Sequence, residues 1–206
     1  MPYLGNEVAP LVQALEGKEL KLDSDGDSSI QASTDDTVVF KTNGSNRWTL
    51  NSSGNLFPAS TSQGIILGAT SDTSANRLED YEEGTWTPSL GGNTTYHSQV
   101  GKYTRVGNVV HCGAVIQANS LGTGSTTTVS GFPFTSSNGG SGYQGGDVGF
   151  YYFLATDVMS LDVQMSSGAT TTAFSGRSSE GSTMATSTTV FRDGARIDFS
   201  ITYYVA

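Results

Sequence analysis

Arg196-Ile197-Asp198-Phe199-Ser200-Ile201-Thr202-Tyr203-Tyr204-Val205 alternates apolar and polar residues over nearly its whole length. Successive side chains of a strand point to opposite faces, so Ile197, Phe199, Ile201, Tyr203 and Val205 share one face. Arg196, Asp198, Ser200, Thr202 and Tyr204 share the other. One face suits a core and the other tolerates water, as in a half-buried antiparallel strand. Upstream, Lys102-Tyr103-Thr104-Arg105-Val106 and Val109-Val110-His111-Cys112 flank Gly107-Asn108, a hairpin signal. Val190-Phe191-Arg192 and Ala195-Arg196-Ile197 flank Asp193-Gly194, which predicts a second hairpin. Phe150 to Leu154 is apolar or aromatic on both faces, so it should lie buried between two layers or between subunits. With turn signals about every 8–12 residues and about eight strands, residues 79–206 are expected to form a β-sandwich or jelly-roll-like head.

Composition points the same way. The 206 residues include 28 Ser, 26 Thr and 26 Gly but only four Lys, and charged residues make up 14%. Soluble domains carry about 25%. Hydroxyls and backbone must therefore solvate much of the surface. Threonine suits a pleated sheet, and glycine and serine suit the turns between short strands. Twenty aromatic residues argue against a disordered chain. A net charge of −9 makes nucleic acid an improbable partner, because binding phosphates needs clustered Lys and Arg. The single cysteine excludes an intrachain disulfide, and no apolar run reaches the roughly 18 residues of a membrane helix. Met1-Pro2-Tyr3-Leu4-Gly5-Asn6-Glu7 lacks the basic and apolar regions of a signal peptide, so synthesis in a cytoplasm is expected.

The chain is also asymmetric. Residues 1–83 hold 13 acidic and 5 basic residues, whereas residues 84–206 hold 6 and 5. Four aromatics lie in residues 1–80 and 16 in residues 81–206. Residues 1–20 are predicted to be an extended arm followed, from Pro10 to Leu20, by one short helix with Leu11, Val12 and Leu15 on one face. Residues 21–78 are a string of short strands punctuated by Asp25-Gly26, Asn43-Gly44 and Ser53-Gly54-Asn55. There Val38 and Phe40 are placed on one face and Trp48 and Leu50 on another, and Ile65-Ile66-Leu67 form a short run. One copy has too little apolar surface for a core, so the expectation is a shaft wound from three chains.

Few residues suggest chemistry. His111 and Cys112 are strand neighbours on opposite faces and cannot form a dyad. Cys112 falls with Val110, Ala114 and Ile116, a core position. Asp23-Ser24-Asp25-Gly26-Asp27 resembles the opening of a calcium loop, but Ser28 and Thr34 stand where that loop needs Gly and Glu. A solvated acidic turn is the favoured alternative, and no metal or cofactor is assigned. Two loops can be read as connectors or as ligand contacts. They are Tyr96-His97 after Gly91-Gly92-Asn93, and Tyr143-Gln144 within the glycine-rich Asn138–Gly146. Aromatics among hydroxyls and amides suit sugar faces.

Leu78-Glu79-Asp80-Tyr81-Glu82-Glu83-Gly84-Thr85-Trp86-Thr87-Pro88 resembles a junction common in tail-fibre and related structural proteins of tailed phages, where it opens a C-terminal β domain. Gly101-Lys102-Tyr103-Thr104-Arg105-Val106-Gly107-Asn108-Val109-Val110 and Val129-Ser130-Gly131-Phe132-Pro133-Phe134 continue the resemblance in the family's order. Asn46–Leu56 is similar to the shaft segment that often precedes the junction. The resemblance implies a non-enzymatic homotrimeric fibre of the virion, released by lysis. It would be fixed to other virion proteins through its N-terminal end, with Tyr3, Leu4, Leu11, Val12 and Leu15 as the attachment residues. Its partner would be a host-surface glycan or protein. The resemblance leaves tail and capsid attachment open, a capsid fibre or decoration protein being the alternative. Asp80, Glu82 and Glu83 are carboxylates such as a small glycan-hydrolysing spike would need. Their place at the junction favours hydrogen bonds or ion pairs to Arg77 or a neighbouring chain.

Overall fold

A computed structural model describes residues 18–32, 34–78, 80–139, 143–180 and 188–205, with Tyr143 described by its backbone alone. Among them the only helical element is one 3-10 turn, Ser74–Asn76; the rest is strands and turns. The chain divides into two compact units, Met1–Glu79 and Asp80–Ala206.

In the first unit β1 (Leu20–Lys21), β2 (Ser29–Gln31), β3 (Val38–Thr42), β4 (Ser45–Leu50) and β5 (Leu56–Pro58) form a five-stranded antiparallel meander in chain order. Asn43-Gly44 makes a two-residue turn with both φ values positive (51° and 65°), as a type I′ hairpin requires. Most of the expected helix Pro10–Leu20 lies outside the described residues, as do Tyr3, Leu4, Leu11, Val12 and Leu15. Its last residue is corrected, because Leu20 pairs with Ile30 in β1–β2, and Glu19 bridges Lys21 and Lys41 beside it. Strands that an intertwined shaft would share among chains pair here within one chain.

Register decides which side chains share a face. Val38 lies opposite Leu50 and Phe40 opposite Trp48, so these four lie together and not on separate faces as expected. Leu20 and Ile30 extend that face across β2 and β1, and Leu56 and Pro58 extend it across β5. None of these residues is buried; Leu56 is 57% exposed and Leu20 47%. Among the described residues of this unit only Ser29 is buried. Beyond the meander, β6 (Ile65–Ile66) pairs with β7 (Arg77–Leu78), and Arg77 is held by Asp72 at 2.6 Å.

The second unit has a true core. Its strands are β8 (Tyr81–Trp86), β9 (Thr95–Val106), β10 (Val109–Ser120), β11 (Thr128–Ser130), β12 (Tyr143–Tyr152), β13 (Ser160–Ser166), β14 (Thr171–Arg177) and β15 (Arg196–Tyr204). They make one antiparallel sheet in the order β11-β14-β13-β12-β15-β10-β9-β8. The sheet curls until its ends meet. Ser89, just past β8, and Ser130 of β11 exchange backbone hydrogen bonds of 2.9 and 2.8 Å. Gly131 permits this approach, since its φ is +94° and a Cβ there would stand 2.3 Å from the Thr87 carbonyl oxygen. The two separate layers expected of a sandwich are therefore one curled eight-stranded sheet whose ends touch at the single Ser89–Ser130 bridge.

Ile197, Phe199, Ile201, Tyr203 and Val205 are all buried, facing Val110, Cys112, Ala114 and Ile116 of β10 and Leu161, Val163 and Met165 of β13. Gly107, at φ +57°, turns β9 into β10 as expected. The second hairpin is corrected. Asp193-Gly194 is a turn, but Val190 and Phe191 donate to the Thr126 carbonyl, because both edges of β15 are taken by β10 and β12. Of the two placements expected for Phe150–Leu154, burial between layers within one chain holds only in part. Leu154 is buried, whereas Phe150, Tyr152 and Phe153 are 49%, 41% and 60% exposed. A bulge explains the first two. Val148 lies opposite buried Phe199, but the next pair is Phe150 opposite Asp198, so the unpaired Gly149 turns Phe150 and Tyr152 outward.

Candidate functional site

The four proposed ligand-contact residues do not converge. Tyr96 and His97 begin β9 beside the end of β10, whereas Tyr143 and Gln144 begin β12 near the end of β15, at the opposite end of the sheet. Tyr96 is half-buried and its hydroxyl accepts from the backbone N–H of buried Leu90 at 2.8 Å, so it pins the closure loop. The Gln144 amide oxygen accepts from the Tyr204 N–H. His97 is exposed, and Tyr143 lies opposite Ser166 in the ladder.

The carboxylates Asp80, Glu82 and Glu83 are each committed. Asp80 pairs with Arg105 at 2.9 Å, Tyr103 donates to Glu82, and Tyr81 donates to Glu83. Arg77 pairs with Asp72 at 2.6 Å. Both phenols are raised above the usual tyrosine range, first because each donates its proton to a carboxylate. Glu82 and Glu83 are successive residues of β8 and face opposite ways.

Asp23, Asp25 and Asp27 are the one metal-type grouping among the described residues, with oxygens within 4.8 Å of one another. Its oxygens accept locally: the Ser28 N–H donates to Asp23 at 3.1 Å and the Asp27 N–H to Asp25 at 3.4 Å. Hydrogen bonding from Ser28, above all, pulls Asp23 down to about 2. The arrangement is a hydrogen-bonded acidic turn.

His111 and Cys112 separate as the strand requires. His111 is exposed with its Nδ1 2.9 Å from the Thr202 hydroxyl. Cys112 is fully buried, its thiol 3.9 Å from the Tyr203 hydroxyl, which in turn donates to the Phe134 carbonyl. Burial pushes the thiol up to about 12. The unfolded chain loses this proton near pH 9 while the fold keeps it, so stability is unaffected below that pH and falls as pH rises towards 12. Tyr203, raised mainly by burial, adds a loss of the same sign. The melting temperature of the second unit is thus expected to drop between about pH 8 and about pH 11, with Cys112→Ala flattening the slope. Native protein at about pH 8 should resist a thiol reagent that labels the unfolded chain fully. Rapid native labelling would mean that the thiol is not sealed.

The outer face of the curled sheet carries what the sequence did not place. Tyr81, Val106 and Tyr204 are exposed in one row, Val100 and Phe150 in another. Between them is a shallow polar depression over Gly113, walled by Glu83, Thr85, Lys102, Thr104 and His111. Phe150 and Tyr152 meet edge to face at 5.8 Å. Arg196 lies 5.5 Å over the Phe150 ring while its guanidinium makes a two-pronged bond, 2.7 Å each, to Asp198. Gln117 donates to the Tyr152 hydroxyl at 2.6 Å. The aromatic run Phe150–Phe153 was the available signal; the bulge at Gly149 hid its direction.

Ring contacts and hydrogen bonds hold Phe150, Tyr152 and Arg196 in place on this face. Their arrangement suits association and recognition. The chain matches no family model, no curated protein and no solved structure. The assignment of function therefore rests on the residues themselves.

Proposed function

We propose that this chain is a structural fibre protein of a tailed-phage virion, a homotrimer attached through residues 1–20 and adhering to the host surface through the second unit. One observation carries it. Among the described residues, the first unit carries an apolar face running from Leu20 through Phe40 and Trp48 to Leu56 of which no member is buried. Monomers rarely leave a contiguous apolar patch of more than a few hundred Å² in water. Copies of the same chain supply the complementary face at no cost in new design, and closed symmetry is the usual outcome. The exposed rows on the outer face of the second unit suit the same association. Three heads on one stalk then convert weak contacts into firm attachment.

Sedimentation equilibrium of the full chain and protein analysis of purified particles test this together. A trimeric mass and the chain's presence in virions are expected. A monomer that is absent from particles overturns the proposal. Immunogold labelling of the tail supports the tail fibre, and labelling confined to the capsid makes it a head fibre.

A further inference from the structure

At the end of the second unit where β12 stops and β15 starts, an open depression of about 620 Å³ lies between the loops that follow β10 and precede β15. Its size falls in the range of small-molecule sites, about 300–1,000 Å³. Buried Phe191 lines it, with Ser120, Thr126 and Thr189 contributing hydroxyls and Arg192 and Asp193 contributing charge. Among the described residues none of the three hydroxyls has an intramolecular hydrogen-bond partner.

Arg192 is held but not spent. Its Nε donates to the Phe153 carbonyl at 2.9 Å, and its guanidinium stacks 4.0 Å from the Phe153 ring centre. Among the described residues no carboxylate pairs with it, so both Nη groups keep their donors. Phe153 achieves this from a backbone φ of +58°, a strained region that bulky residues avoid. The Gly194 turn lies against the same ring. Strain is thus concentrated where a carbonyl and a ring fix one guanidinium at the rim of a hydroxyl-lined depression. Asp193 is fixed as well, its Oδ1 accepting from the Leu121 N–H at 2.7 Å, which leaves Oδ2 for a further donor.

We propose that this depression binds an acidic saccharide, with the carboxylate of a uronic-acid unit on the two Nη groups of Arg192. Sugar hydroxyls meet Ser120, Thr126, Thr189 and Asp193. A planar carboxylate matches the guanidinium fork. The neighbouring Asp193 carboxylate disfavours a doubly charged phosphate in favour of a singly charged acid. Arg192 is the binding residue and Phe153 a positioning residue. The inference rests on the adhesive reading above and supplies its ligand class.

The test is nuclear magnetic resonance titration of the full chain with a glucuronate-containing tetrasaccharide and with its carboxyl-reduced form. Shifts confined to residues 120–126, 153–155 and 189–194 are expected, with the acidic form binding about tenfold more tightly or better, the equivalent of one charge-assisted hydrogen bond. Arg192→Gln and Phe153→Gly should abolish that preference while leaving the melting temperature unchanged or, for the glycine, higher. A merely structural pair would alter stability and spare the preference. Equal binding of the two sugars, or shifts elsewhere, overturns the site. Adsorption of the wild-type chain to host cells is measured in parallel. Adsorption without acidic-sugar binding sinks this inference alone, and no adsorption sinks the adhesive function itself.

Discussion

Phe174→Ala is expected to destabilise the second unit by about 3–5 kcal/mol, the usual range for emptying a fully buried phenylalanine site. Phe174 has no exposed surface and stands on β14, opposite Val163 of β13. Its ring meets Phe199 of β15 and Phe191, each at 5.6 Å and nearly perpendicular. In the ladder, β14 and β15 are separated by β13 and β12, so the Phe174–Phe199 contact crosses the interior of the curl and not a strand pair. Loss of the ring leaves a cavity between the two arms of the sheet, which backbone bonds closed at Ser89–Ser130 prevent from collapsing. Phe174→Leu, keeping most of the volume, should cost less than about 1.5 kcal/mol. Urea unfolding followed by the fluorescence of buried Trp86 measures both. A loss below about 1 kcal/mol for the alanine variant would mean that the interior is not packed across the curl.

The alternation at Arg196–Val205 was legible because period two is imposed by the strand itself, and neither neighbours nor ligands can alter it. The Gly107-Asn108 hairpin was legible for a similar local reason. What failed was long-range or off-register. Asp193-Gly194 has hairpin chemistry, yet β15 spends both its edges on strands far away in sequence, β10 and β12. One inserted residue at Gly149 reversed the facing of Phe150 and Tyr152, and no local pattern announces a bulge. In the first unit, Val38-Phe40 and Trp48-Leu50 were visible as pairs, but only the register across the Asn43-Gly44 turn puts them on one face. The ligand-contact candidates were chosen for an aromatic near glycines. Tyr96 shows why that signal is weak, since its hydroxyl serves the loop beside it. Arg192 escaped because its partner Phe153 lies 39 residues away in the chain.

That shared face yields the other large expected effect. Phe40→Asp or Trp48→Asp should convert the proposed trimer to monomers at micromolar concentration. In the single chain Phe40 is 39% exposed and Trp48 half-buried, so neither substitution empties a sealed core site. The backbone ladder of β3 and β4 is untouched. In an assembly that covers this face, the same aspartate becomes a buried charge without a partner, which costs about 3–5 kcal/mol per chain. Each 1.4 kcal/mol is a tenfold loss, so three chains together lose many orders of magnitude in association. Thr49→Asp, on the opposite face of β4, is the matched control and should keep the wild-type mass. Trp48 reports the change directly: its emission should shift to the red on dilution of the wild type and be red at all concentrations for Phe40→Asp. If Phe40→Asp sediments like the wild type with Trp48 emission unchanged, the apolar face of the first unit is not where copies meet, and the trimer must be sought on the outer rows of the second unit.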